Sequence, residues 1–278
     1  MSWIDNIKQA FAPAPVPLEL TQDNVDGLVM GAAVGESMGI PVVDRSPDDL
    51  RQNPVTELLG FADYRTPPGT YSISTDSLLD FARYLSQNHN GGYTVDRFFQ
   101  LCNNWYLYKA RDEEYRLRIM LPCAALAGMV YSGMDSSLET VLRNIPDLLC
   151  DSGLVSSSMV FYMAQHIALG YPLARAAERA RNKSAALCKR VGVSPNPRGL
   201  SIRVANVVID CVSASSDYSS GLLATVNSGM YPDLTGNISG ILLGFFYGME
   251  NIPYLWRNSV NNLDHLPEIS SGIIKILR

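Results

Sequence analysis

The sequence predicts an all-α protein built from many helices, and three observations support this fold class. From Leu18 onward, apolar residues recur at helical spacing almost everywhere, and few segments show the alternation that is typical of strands. Apolar residues make up 47% of the chain and charged residues only 18%, a composition typical of a globule with a large interior. Finally, two segments repeat glycine at every fourth position, which is a helical period.

The periodicity and the turn residues place the helices along the chain. Helix stops are predicted where Gly170 is followed by Pro172, and where Gly192 is followed by Pro195. The longest irregular segment, residues 41–72, contains five prolines and two glycines. Helices are predicted over residues 23–38, 74–88, 94–108, 119–132, 135–148, 155–169, 172–191, 199–214, 219–227, 236–249 and 253–261.

Two parts of unequal size are predicted. Residues 1–18 form an N-terminal helix and a proline-rich arm, because Trp3, Ile4, Ile7 and Phe11 have helical spacing and the stiff segment APAPVP follows them. This part either packs onto the domain, extends as an arm, or docks a partner protein. Residues 19–278 are predicted to form a single helical domain, since no composition shift or repeat divides them.

Charge, hydropathy and cysteine usage exclude several classes of function. The net charge of −5 and the absence of a Lys/Arg stripe argue against nucleic-acid binding. No apolar run reaches the roughly 18–20 residues that a membrane span needs. The five cysteines form no CxxC pair, which argues against a structural zinc site. Because no secretory signal is recognisable either, we expect a cytoplasmic protein.

The two glycine-rich segments predict helices whose backbones approach each other closely. The first contains Gly27, Gly31, Gly35 and Gly39, and the second contains Gly236, Gly240, Gly244 and Gly248. Glycine costs about 1 kcal/mol per position relative to alanine inside a helix, so its repetition indicates that side chains are excluded there. Close packing in the core and the positioning of flanking loops are both compatible with this pattern. Glu36 argues against a membrane dimerisation motif.

Three motifs give the chain a resemblance to a known family. Residues 27–41, GLVMGAAVGESMGIP, fit the pattern G-x-x-x-G-x-A-x-G-D-x-x-G-x-P except that Glu36 replaces the aspartate. Residues 69–82, GTYSISTDSLLDFA, resemble a glycine followed by [ST]-D-D-[ST] at a helix start, and residues 231–248, YPDLTGNISGILLGFFYG, keep the glycines of a D-x-D-[ST]-x-G motif. In the order and spacing of these motifs the chain resembles the ADP-ribosylglycohydrolase family, the ADP-ribosyl-acceptor hydrolases. The resemblance implies a compact orthogonal bundle of helices.

The resemblance also implies a site, in which two magnesium ions lie between the two aspartate motifs and help to position ADP-ribose. With Ser74, Thr75, Asp76 and Ser77 aligned to [ST]-D-D-[ST], only one aspartate remains in the first motif. In the second motif Asp233 remains and Tyr231 replaces the other aspartate. The alternative alignment, with residues 72–75 in the first motif, retains neither aspartate there. Two adjacent dications need several carboxylates, so either alignment predicts weak or absent binuclear magnesium binding.

The candidate site residues follow from this alignment. Asp76 and Asp233 are the candidate catalytic and metal-binding residues, and they are too few for a complete magnesium site. The candidates for binding ADP-ribose are Glu36, Ser74, Thr75 and Ser77 of these motifs. The resemblance adds Arg118, in the segment RLRIMLP, as the counterpart of an arginine in the family's phosphate-contacting loop, although the rest of that loop is not recognisable. His166 lies in an apolar helix and is interpreted as a core histidine rather than a catalytic one.

Two functions remain open at this point, besides an unrelated or purely structural role for a helical protein. The first is a catalytically impaired relative, a pseudoenzyme without a cofactor, which binds a protein or an ADP-ribose-type ligand. The alternative is an active magnesium-dependent hydrolase, which removes ADP-ribose from modified proteins or related acceptors. Dependence on magnesium distinguishes the two, because a binding protein is insensitive to EDTA.

Overall fold

A computed structural model describes residues 20–61, 65–87, 113–130 and 151–277, and these residues are entirely helices and connecting segments. The predicted N-terminal helix and arm at 1–18, and the predicted helices at 94–108 and 135–148, lie outside the described residues. The described α-helices are α1 (Gln22–Gly39), α2 (Pro47–Gln52), α3 (Ile73–Gln87), α4 (Glu113–Val130), α5 (Asp151–Ala168), α6 (Leu173–Val191), α7 (Leu200–Ser213), α8 (Tyr218–Val226), α9 (Pro232–Tyr247), α10 (Tyr254–Ser259) and α11 (Leu266–Leu277). Short 3₁₀ turns follow α1 at Ile40–Val42 and α9 at Met249–Asn251.

The two glycine-rich helices, α1 and α9, form an antiparallel pair at the centre of the bundle. A Cβ atom added to Gly31 would lie 2.2 Å from the carbonyl oxygen of Gly240, and one added to Gly240 would lie 1.9 Å from the carbonyl oxygen of Gly31. Four of the other ladder glycines make equivalent contacts, whereas Gly39 faces the backbone of Pro232 at the far end and Gly248 faces the side chain of Asp23. The prediction of close backbone approach is therefore confirmed. Since every residue from Gly27 to Gly39 is buried, α1 is surrounded by protein on all sides along this stretch.

Polar groups fix the register of the central pair. The amide of Asn24 donates a hydrogen bond to the carbonyl oxygen of Phe245 at 2.9 Å, and the amide of Asn237 donates to that of Ala32 at 3.2 Å. Tyr218 of α8 is completely buried and donates its hydroxyl hydrogen to the carbonyl oxygen of Gly31 at 3.2 Å. The two asparagine bonds join α1 to α9 and oppose sliding of one helix along the other, and the Tyr218 bond ties α8 to α1.

The remaining helices pack around this pair. Helices α7 and α8 pack on α9, α11 packs on α1 and α3, and α4 lies between α3 and α5. Helix α5 is buried from Gly153 to Ala168, and α4 approaches it closely where a Cβ added to Gly128 would lie 2.2 Å from the carbonyl oxygen of Phe161. The result is the all-α bundle that the sequence predicts. Within the described ranges, none of the helices combines the length and the apolarity that crossing a bilayer requires.

Local signals explain where several helices begin and end. Thr21 and Asn24 form a reciprocal capping box at the start of α1. Gly170 and Gly192 have φ values of 82° and 75°, the left-handed conformation that ends α5 and α6 as predicted. Helix α5 begins at Asp151 rather than near residue 155, and α9 begins at Pro232 rather than at residue 236. Helices α2 and α11 were not predicted.

Candidate functional site

Four helix ends converge where the three sequence motifs meet. The C-terminal part of α1 contributes Glu36, the first turn of α3 contributes Ser74, Thr75 and Asp76, and the first turn of α9 contributes Asp233. The N-terminal half of α4 contributes Arg118. Hydrogen bonds join α1 to α3, α3 to α9 and α4 to α9, so the three motifs lie in one region.

The Glu36 carboxylate caps the N-terminus of α3 from a neighbouring helix. Its Oε1 accepts hydrogen bonds from the Ser72 hydroxyl at 2.7 Å and the Ser74 backbone N–H at 3.1 Å, and its Oε2 accepts one from the Thr75 backbone N–H at 2.8 Å. These backbone N–H groups belong to the first turn of α3, where no carbonyl of the same helix can accept from them. A negative charge is also favourable at this end of the helix dipole. Glu36, which is completely buried, therefore holds α1 and α3 together.

Asp233 forms a buried ion pair with Arg118. The Nε and Nη2 atoms of Arg118 both donate to Oδ2 of Asp233, at 3.1 and 2.9 Å, and the two side chains are only 15% and 7% exposed. Nη1 of Arg118 lies 3.2 Å from Oε1 of Glu114, one helical turn earlier on α4. Burial works to lower the pKa of Arg118, but the carboxylates of Asp233 and Glu114 outweigh it and raise that pKa above its ordinary value. Arg118 is thus a permanent cation between two carboxylates.

Tyr231 completes the surroundings of this ion pair. It is the N-cap residue of α9 and has a φ of 47°, the left-handed region that residues other than glycine rarely occupy. Cζ of Arg118 lies 5.7 Å from the centroid of the Tyr231 ring, within the range of a cation–π contact. An aromatic ring therefore contacts the guanidinium at the position where the family motif carries its first aspartate.

Asp76 has a different environment from Asp233. It lies in the first turn of α3 but is exposed, whereas its neighbours Thr75 and Ser77 are buried. The phenol of Tyr71 is near it: burial and then the charge of Asp76 raise the pKa of Tyr71. The hydroxyl of Tyr71 donates to the carbonyl oxygen of Asn262 at 3.0 Å. Asp76 is therefore a surface carboxylate at the edge of the buried polar region.

Several buried polar atoms in the N-terminal halves of α3 and α9 have no hydrogen-bond partner among the described residues. Asn237 connects the two helices by donating from its amide to Oγ1 of Thr75 at 3.0 Å. The unpartnered atoms are Oγ of Ser74, Oγ of Ser77, Oδ1 of Asp233 and Oδ1 of Asn237. Buried polar atoms are normally hydrogen-bonded, so these four atoms are the buried polar groups of the motif region that the described residues leave unsatisfied.

The arrangement does not fit a binuclear magnesium centre. Magnesium requires about six oxygen ligands, usually with carboxylates among them. Glu36 uses both of its oxygens on α3, Oδ2 of Asp233 is bound to a guanidinium, and Asp76 alone is exposed. In the part of the chain that the structure describes, no group of three or more His, Cys, Asp or Glu side chains could hold a metal ion.

The structure places the residues expected from the sequence in two groups. Glu36, Ser74 and Thr75 form one group through the cap of α3, and Arg118 and Asp233 form the other. Ser77 is buried in α3, and Asp76 is exposed beside the first group. His166 is buried within α5, where its Nδ1 lies 2.6 Å from the carbonyl oxygen of Tyr162, as expected for a core histidine.

Sequence reasoning missed three residues of the site. Glu114 was detectable, because it precedes Arg118 by four residues on a helix and such pairs face each other. Asn237 also gave a signal, as an amide in the apolar glycine-rich segment of α9. Ser72 precedes α3, and nothing in the sequence connects it to Glu36.

Comparisons with known proteins agree with the geometry. The family model for ADP-ribosylglycohydrolase matches residues 17–119 and 115–277. Among solved structures, a chain described as an ADP-ribosylglycohydrolase-related protein complex superposes with a TM-score of 0.59 at 20% sequence identity, covering 94% of this chain and 100% of its own. No curated protein matches the sequence. The match to the solved structure shows a shared fold, and the family model spans nearly the whole chain. The chain therefore belongs to the ADP-ribosylglycohydrolase family.

Proposed function

We propose that this family member is a pseudoenzyme, which binds an ADP-ribose-type ligand or a protein without the help of magnesium. One observation carries the proposal: the buried carboxylates of the motif region are already bound within the protein. Glu36 accepts three hydrogen bonds from residues 72–75, and Asp233 is bound by Arg118.

A metal ion would have to displace these interactions in order to bind. Moving Glu36 towards a cation would leave the Ser74 and Thr75 N–H groups without acceptors in a buried region, at a cost of roughly 1–3 kcal/mol for each group. Moving Asp233 would break a charge-assisted pair and leave the guanidinium of Arg118 less well compensated. Both costs oppose metal binding, so the site favours a metal-free state.

The unpartnered polar atoms support retained ligand binding. Oδ1 of Asp233, Oγ of Ser74 and Oδ1 of Asn237 are buried and are suited to hydroxyl or amide groups of a ligand. None of these three atoms needs a metal ion in order to bind such a group. If no nucleotide binds, a protein partner is the remaining ligand class, and residues 1–18 are the first segment to test by deletion.

The active magnesium-dependent hydrolase is the second candidate. It is favoured by the exposure of Asp76 and by the unpartnered Oδ1 of Asp233, the two carboxylate groups that a rearranged site with one metal would use. On this hypothesis Arg118 would have to release Asp233 during turnover.

Release of ADP-ribose from ADP-ribosyl-arginine and ADP-ribosyl-serine peptides tests the proposal. We expect no release in millimolar magnesium and no difference when EDTA is added. Binding of ADP-ribose in EDTA would identify a metal-independent ligand. Magnesium-dependent turnover that disappears in Asp76→Ala and in Asp233→Ala would contradict the pseudoenzyme and support the hydrolase.

A further inference from the structure

Arg118 supplies the positive charge that compensates the buried Asp233 carboxylate. Asp233 is about nine-tenths buried, and a buried carboxylate needs a cation or several donors nearby. Two nitrogen atoms of one guanidinium supply this compensation, both through Oδ2. The third contact of the same guanidinium is with Glu114 on its own helix. One protein cation therefore lies between two carboxylates, which is the electrostatic arrangement of a bound metal.

We infer that the Arg118 guanidinium is a fixed internal cation that takes the place of a divalent metal beside Asp233 and keeps that carboxylate from binding one. The inference deepens the proposed function and rests on it, since a metal-free binding site requires another source of positive charge. Like charges repel strongly at contact distance in a poorly solvated region, so a dication cannot approach Asp233 while Arg118 remains paired with it.

Two further features hold the guanidinium in this position. The ring of Tyr231 lies against it, and the left-handed backbone at Tyr231 places that ring at the start of α9. The guanidinium side chain is 15% exposed, so bulk solvent screens it weakly. Tyr231 therefore stands at the position of an acidic residue in the family motif, and its ring contacts the Arg118 guanidinium instead.

Thermal melting with and without added cations tests the inference. In Arg118→Gln the Asp233 carboxylate loses its counter-charge, so the variant should melt below wild type. Millimolar MgCl₂ or MnCl₂ should then raise its melting temperature by roughly 2–4 °C, because binding to the folded state stabilises it. Wild type should show no such rise. Arg116→Gln, the same change two residues away on α4, is the matched control and should also be insensitive.

A double variant distinguishes charge compensation from a structural defect. Arg118→Gln combined with Asp233→Asn removes both charges, so it should fold and should not respond to cations. If Arg118→Gln alone does not fold, the double variant should restore folding, and failure of both would overturn the inference. A folded Arg118→Gln that ignores both cations would also overturn it, while leaving the proposed function intact. Magnesium-dependent ADP-ribose release by wild type would instead overturn the proposed function.

Discussion

The side chain of Glu36 is one methylene longer than the aspartate at the corresponding position of the family motif. Its carboxylate reaches the backbone of α3 and accepts from Ser72, Ser74 and Thr75. The sequence placed Glu36 near the site because of its position in the first motif. The sequence did not indicate that the carboxylate caps a second helix, because the contact joins residues 36 to 39 positions apart.

Replacement of Glu36 by glutamine should destabilise the protein. The amide has almost the same shape, but it is uncharged and its NH₂ group would face the N–H donors of α3. We expect a loss of about 1–3 kcal/mol in the free energy of unfolding, measured by urea denaturation. Glu268→Gln, at a side chain that is 79% exposed, should change this free energy by less than about 0.5 kcal/mol. Equal effects of the two substitutions would show that the cap contributes little.

His166 gives the protein a pH dependence in the acidic range. Burial lowers its pKa from 6.5 to about 4, and the nearby cations Lys183 and Arg179 act in the same direction, although the hydrogen bond to the Tyr162 carbonyl opposes them. The side chain also contacts the ring of Tyr171. Between pH 6.5 and 4 this residue therefore binds more protons in the unfolded chain than in the folded protein, so its titration favours unfolding in acid.

This linkage predicts how stability changes with pH. The contribution of His166 should be fully present above pH 6.5 and should be lost progressively as the pH falls towards about 4, by at most about 3 kcal/mol. In His166→Asn the amide replaces Nδ1 as a donor but does not titrate. Denaturation over this pH range should therefore give a smaller slope for the variant than for wild type. Identical slopes would exclude His166 as the source.

Among the helices, α1 and α9 were the most predictable elements. Their glycine ladders indicated close backbone approach, and every ladder glycine except Gly248 lies against the backbone of the other helix. Helix α11 was not predicted, although Leu266, Ile269, Ile273 and Ile276 recur at helical spacing. Gly272 and the β-branched isoleucines lower its intrinsic helix propensity. Its packing against α1 and α3 stabilises it, and such tertiary contacts cannot be derived from local sequence.

Substitution of a ladder glycine by alanine should destabilise the central pair. A Cβ at Gly31 or Gly240 would lie about 2 Å from a backbone oxygen that cannot move independently of its helix. The gain of about 1 kcal/mol in helix propensity is then outweighed by overpacking, which typically costs about 1–3 kcal/mol and more where backbone must shift. The melting temperature of each variant should fall below that of wild type.

Gly272→Ala is the matched control for this prediction. Its Cβ would meet only the side chain of Ser86 of α3, at 2.9 Å from Cβ and 3.1 Å from Oγ, and no backbone atom. We expect a smaller decrease in melting temperature than for Gly31→Ala or Gly240→Ala. If the control is the least stable of the three, the close approach of α1 and α9 does not limit stability.

For the molecule as a whole, the fold and the small number of aspartates in the motifs were predictable, but the ion pair beside Asp233 was not. The glycine pattern and the remaining aspartates identified the family and the reduced ligand set. Arg118 and Asp233 are separated by 115 positions, and only the fold shows that they form an ion pair. The exposure of Asp76 could not be predicted from the sequence either, because it depends on which neighbouring elements cover the first turn of α3.

Calorimetric titration of magnesium into the wild-type chain tests the central claim, that this family member has replaced its metal site by internal contacts. With Glu36 bound to α3 and Asp233 bound to Arg118, we predict no heat beyond dilution at millimolar magnesium. A saturable binding isotherm that is abolished in both Asp76→Ala and Asp233→Ala would contradict the account, because it would show that the two aspartates still coordinate a cation.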